Sequence, residues 1–75
     1  MTEPDLRIKL GNKIRMIRME KNMTQNDLAL ECQFEKASMS RIESGQSNPT
    51  VRTLYKISNA LNVEIGELFK DLRQP

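Results

Sequence analysis

The chain has 75 residues, 37% hydrophobic and 29% charged, with twelve Lys and Arg against ten Asp and Glu for a net charge of +2. That length makes one domain with a single small core, and the composition is that of a folded, soluble domain rather than a disordered tail. A single cysteine and no histidine exclude an internal disulfide and any imidazole-based catalysis, and leave almost no ligands for a zinc site.

No apolar run approaches the roughly 20 residues of a bilayer span. The opening MTEPDLRIKL is too polar and acidic for a signal peptide, so the expected location is the cytoplasm. One domain is expected over residues 1–75, with 1–5 a flexible lead in which Pro4 can start a helix. Leu6, Leu10, Ile14 and Ile17 then fall on one stripe of a helix running to about Lys21. Gly11 inside it marks either a looser first turn or a close helix contact. Met16 and Met19 lie off the stripe and are expected to be partly exposed. Asn22 suits the helix end, and Met23 can pack as a staple against Leu28.

Thr24 is a good N-cap, with Asp27 three residues on. Leu28, Ala29 and Cys32 share one face of a second short helix, where Cys32 packs as a small hydrophobe. A third helix, from about Lys36 to Ser44, buries Met39 and Ile42 and stops at Gly45. Its outer face presents Lys36, Ala37, Ser40 and Arg41, narrow enough for a DNA major groove about 12 Å wide. Gln46-Ser47-Asn48-Pro49 is a polar loop, and Thr50 caps a fourth helix with Val51, Leu54, Ile57 and Leu61 in one stripe. Asn62 ends that helix. Glu64 or Ile65 opens a fifth, and Arg73-Gln74-Pro75 is a fraying tail. The fold class is therefore all-α, five short helices with a helix-turn-helix at about 24–44.

Charge is uneven along the chain. Residues 1–23 carry six Lys and Arg against three acids, residues 24–45 two against four, and residues 46–75 four against three. The central stretch is net negative, so any nucleic-acid affinity there relies on a few placed groups and on its flanks. Ile65, Leu68, Phe69 and Leu72, with Tyr55, offer more apolar surface than a domain of this size needs. That points to a two-fold dimer with the two outer-face helices about 34 Å apart, the alternative being that Phe69 and its neighbours merely finish the monomer core.

IRMIR at 14–18, MTQNDLA at 23–29, SMSRIESG at 38–45, NPT at 48–50 and LYKISNALNV at 54–63 occur in an order and spacing that resembles the Cro/repressor-type helix-turn-helix family. This family, of bacterial and phage regulators, is often called the xenobiotic-response-element family. The resemblance covers nearly the whole chain. It implies base reading by Lys36, Ala37, Ser40 and Arg41. It also implies backbone contacts from Thr24, Gln25, the Gln46-Ser47-Asn48 loop and Thr50. Gln25 would bridge the DNA backbone and the recognition helix, and Arg18 and Glu43 would form a partly buried ion pair. The turn departs from the family at Gln33, where glycine is usual and a left-handed backbone is less tolerable for Gln.

The function expected is a sequence-specific DNA-binding regulator, a homodimer on a palindromic operator in double-stranded DNA. It would be a repressor, a phage-type switch or a restriction–modification controller. The alternative is a protein-binding module of the same fold, such as an antitoxin, which the short stretch after Leu72 disfavours. No enzyme activity, cofactor, metal, small-molecule ligand or membrane partner is expected.

Overall fold

The computed structural model describes residues 1–73. Four α-helices follow one another: α1 (Glu3–Glu20), α2 (Gln25–Cys32), α3 (Lys36–Glu43) and α4 (Val51–Ala60). A 3₁₀ segment over Ile65–Phe69 comes after them. The expected fifth α-helix is thus a single tight turn. Gly66 within it and the left-handed Asp71 just after it (φ 60°) leave no room for a longer helix. So short a piece takes the i→i+3 bonding of Glu67 N–H to the Glu64 carbonyl.

The amino terminus also differs from expectation. Residues 3–5 are the first turn of α1 rather than a loose lead. Thr2 and Asp5 form a reciprocal capping box: the Asp5 N–H donates to Thr2 Oγ1 at 3.2 Å, and the Thr2 N–H donates to Asp5 Oδ2 at 3.3 Å. Pro4 stands in that first turn, where its missing N–H leaves no hydrogen bond unmade. At the other end Arg73 lies in a turn, while Gln74 and Pro75 of the expected fraying tail lie outside the described residues.

All four helices end the same way. The chain passes through the left-handed region at Asn22, Gln33, Gly45 and Asn62. The next residue then donates its N–H five residues back: Met23 to Arg18, Phe34 to Ala29, Gln46 to Arg41 and Val63 to Ser58. This closure satisfies helix-end carbonyls and normally buries an apolar side chain after the turn. Met23, Phe34 and Val63 pack on the core in that way. Gln46 is the exception and stays exposed.

The core is one cluster fed by every element. Ile14 of α1, Leu28 of α2, Met39 of α3, Ile57 of α4 and Leu68 of the 3₁₀ segment are all fully buried. Neighbouring elements pack α2 on α3 and α4, and α1 on α2, α3 and the 3₁₀ segment. Val51 does not join the α4 stripe; it is 77% exposed at the first turn, beyond the edge of the core. Leu68 (0% exposed) and Leu72 (9%) are consumed inside a single chain against α1 and α4, so neither is open surface for a dimer. Gly11 makes a close helix contact: a β-carbon there would strike the Glu43 carbonyl oxygen and lie 2.6 Å from that of Ile42. Glycine lets the middle of α1 sit directly on the end of α3.

Among the described residues, no helix is long and apolar enough to cross a membrane.

Candidate nucleic-acid interface

The second helix of the motif is held rigidly from below. Arg18 Nε donates to Glu43 Oε2 at 2.8 Å, and Arg18 Nη2 donates to Glu43 Oε1 at 3.0 Å. The remaining guanidinium nitrogen, Nη1, donates to the Met23 carbonyl at 2.8 Å. Arg18 and Glu43 are 9% and 5% exposed, so the paired charges are screened little by water. Gln25 Nε2 donates to Glu43 Oε1 at 3.2 Å, which fixes the amide of the first residue of α2. The Glu43 carboxylate at the end of α3 therefore ties α1 to α2, and Arg18 adds the α1–α2 turn through Met23.

Above this network, the outer face of α3 is open. Lys36, Ala37, Ser40 and Arg41 are all exposed, and Met39, Ile42 and Glu43 face inward. The only acid on the helix is the one already neutralised by Arg18. Small side chains keep the face low, and the exposed Arg41 has its Nη2 3.4 Å from Ser38 Oγ. A guanidinium presented this way offers the paired donors that match guanine O6 and N7.

The expected flanking groups lie at the starts of α2 and α4 and in the loop between α3 and α4. Thr24 caps α2 by accepting from Asp27 N–H at 3.0 Å, and Asp27 accepts from Thr24 N–H at 2.8 Å. The backbone hydrogen bond from Thr24, and secondarily its hydroxyl, holds the Asp27 carboxyl below its ordinary value of 3.8. Thr50 caps α4 by accepting from Thr53 N–H at 3.1 Å. Gln46 and Asn48 are exposed in the loop between α3 and α4. Ser47 is half-buried, and its hydroxyl oxygen is buried with no hydrogen-bond partner among the described residues. Cys32 is buried at the opposite edge, and burial pushes its thiol up to about 11.

The open apolar surface of α4 and the 3₁₀ segment is smaller than the sequence suggested. Tyr55 is 58% exposed and Phe69 43%, Ile65 is half-buried, and Val51 lies one turn before Tyr55 on α4. Val51 escaped sequence reading because its spacing from Leu54 fits the buried stripe equally well.

A family model described as helix-turn-helix matches residues 14–68. The control protein C.MunI of a Mycoplasma species is 34% identical over 71 residues, covering 93% of this chain and 96% of that protein. The control protein C.BamHI of Bacillus amyloliquefaciens is 40% identical over 65 residues, covering 85% and 80% respectively. Among solved structures, the restriction–modification controller protein C.Esp1396I, a tetramer in complex with its natural 35 base-pair operator, superposes with a TM-score of 0.81. It is 35% identical, and the match covers 92% of this chain and 91% of that one. The chain belongs to the helix-turn-helix family of DNA-binding regulators.

Proposed function

We propose that the chain is a sequence-specific transcriptional regulator that binds double-stranded DNA as a homodimer on a palindromic operator, and that it controls restriction–modification genes. The observation that carries this reading is the acid-free, low outer face of α3, braced on α1 and α2 by the Arg18–Glu43–Gln25 network. Lys36, Ala37, Ser40 and Arg41 face base edges. Thr24, Gln25, Gln46, Asn48 and Thr50 set the register on the backbone. The names of the similar control proteins, and the operator complex of one of them, support the choice of target. Tyr55, Ile65 and Phe69 are the apolar residues of the expected dimer set that stay open, and two copies meeting through them would have their recognition helices about one duplex turn, ~34 Å, apart.

Binding to duplexes from the chain's own upstream region, titrated over a salt series, tests the reading. Retention of a palindromic fragment with a steep salt dependence is expected, with light scattering giving twice the chain mass. Equal, weak binding to every fragment would overturn it.

A further inference from the structure

A groove of about 420 Å³ runs between α1 and the chain that follows the 3₁₀ segment. Lys9, Lys13 and Met16 line it from α1, and Lys70, Asp71 and Leu72 from the other side. It faces away from the recognition helix. Gly11 is the point at which α1 rests on the end of α3. Lys9 and Lys13 flank Gly11 at two positions before and two after. Each is therefore about 200° around the helix from that contact.

The apolar part of the groove is adaptable and its charge is unbalanced. Met16 is 59% exposed, and Met19, one turn further along α1, is 57% exposed. Methionine is flexible and polarisable, so it accepts apolar side chains of varied shape. The lysines Lys9, Lys13 and Lys70 are set against a single carboxylate, that of Asp71. None of the lysines makes a salt bridge among the described residues. Lys9 and Lys13 are half-buried, which lays their methylene stems along the wall and leaves the ammonium groups at the rim. The residues three and four positions from Lys13 are Lys9, Leu10, Met16 and Ile17, so its own helix supplies no acid to pair it. Asp5, one turn before Lys9, is committed to the Thr2 capping box.

We propose that this groove docks a partner protein through an acidic segment, which sets apolar side chains against Met16 and Leu72 and carboxylates against Lys9, Lys13 and Lys70. Cationic walls beside an apolar floor complement that pattern and reject a basic one. Lys9 and Lys13 are one helical turn apart, about 6 Å along the axis, so they engage two carboxylates of the same segment. A DNA backbone fits less well, because it brings no apolar group to Met16 and would have to reach behind α1. The groove and the contact with α3 lie on opposite sides of α1, so the protein can hold DNA and this partner together. The inference stands independently of the DNA-binding reading.

The test selects peptides with the wild-type protein from a displayed random-sequence pool, then titrates the strongest binder by fluorescence anisotropy. The titrations compare wild type, Lys13→Glu, Lys70→Glu, Met16→Ser and Arg15→Glu. Arg15→Glu reverses an exposed charge of α1 that lines a different cleft, beside Arg18 and Gln25. The selected peptides are expected to interleave Asp and Glu with apolar residues. Lys13→Glu and Lys70→Glu should each weaken binding by about fivefold. Met16→Ser should weaken it at low and high salt alike, Arg15→Glu should change it little, and all five proteins should melt at similar temperatures. If Lys13→Glu fails to fold, Lys70→Glu, in an exposed turn, decides the comparison. Selection of no peptide, or of peptides without acids, would overturn the proposal. Equal losses in Lys13→Glu and Arg15→Glu would also overturn it, by reducing the attraction to diffuse charge. So would a shallower salt dependence of DNA binding in Lys13→Glu and Lys70→Glu, which would assign the groove to the DNA backbone. Wild-type protein that selects such a peptide but no duplex would remove the DNA-binding reading and leave this one standing.

Discussion

Arg18 and Glu43 stand 25 positions apart in sequence and are joined by two hydrogen bonds of 2.8 and 3.0 Å in the interior of the domain. Their pairing fixes the angle at which the recognition helix leaves the body of the protein. A buried pair of this kind adds little net stability over an apolar replacement, but breaking it leaves a lone desolvated charge. Glu43→Gln is therefore expected to lower stability by about 3–5 kcal/mol. Each kcal/mol corresponds to a fall of roughly 4–8 °C in the melting midpoint of a domain this small. The double variant Arg18→Met, Glu43→Leu should recover most of the loss in thermal melts. An unchanged midpoint for Glu43→Gln would contradict the bracing role.

Gly11 tests the same junction through the backbone. Alanine is the better helix former by up to about 1 kcal/mol, yet its methyl group would meet the carbonyl oxygens of Glu43 and Ile42. Neither carbonyl can move without shifting α3. Gly11→Ala is expected to destabilise by about 1–3 kcal/mol, read from the urea midpoint. Stabilisation would mean that the two helices can part at little cost.

The capping box of α2 makes an acid-dependent contribution. The folded state holds the Asp27 carboxyl below 3.8 because the Thr24 N–H, and then the Thr24 hydroxyl, favours the ionised form. A depressed folded value means that the stabilisation is fully present above the unfolded value of 3.8. It is lost as pH falls through the lower folded value. The melting difference between wild type and Asp27→Asn should therefore be constant near neutrality and shrink below about pH 4. A difference that persists unchanged to pH 2 would show that the carboxylate charge plays no part.

Gln33 occupies a left-handed conformation at φ 59° and ψ 37°, closing α2 onto the turn. That geometry costs a residue with a β-carbon roughly 1–2 kcal/mol, while glycine adds about 0.5–1 kcal/mol of lost backbone entropy. Gln33→Gly should be stabilising by up to about 1 kcal/mol, seen as a higher urea midpoint with an unchanged slope. A clear loss would mean that the Gln33 side chain makes an interaction worth more than the strain.

The order of helices was legible because each start carries a Thr cap or an apolar stripe and each end except that of α2, where Gln33 stands, an Asn or Gly. Thr24, Asn22, Gly45, Thr50 and Asn62 all act where their chemistry suggests. The Thr2–Asp5 box has the same chemistry, but it stands in a polar stretch where Pro4 is an equally good helix start, so the sequence alone does not mark it. Burial at the ends of stripes was not legible. Spacing puts Val51 on the same face as Leu54, but only the packing of α4 shows that the core stops short of it. Leu68 and Leu72 looked like surplus apolar surface because a sequence does not show how much area α1 and α4 need covered. The bond from Gln25 to Glu43 joins α2 to α3; the family resemblance implied that bridge, whereas periodicity within one helix carries no information about it.

The most direct test of base reading by α3 is competition between a selected palindromic duplex and a scrambled one, for wild type and Arg41→Ala at fixed salt. Arg41→Ala should cost about 1–3 kcal/mol per subunit on the palindrome and much less on the scrambled duplex, so that discrimination collapses. Equal weakening on both duplexes would reduce Arg41 to a phosphate contact, and no weakening on either would contradict recognition through this face of α3.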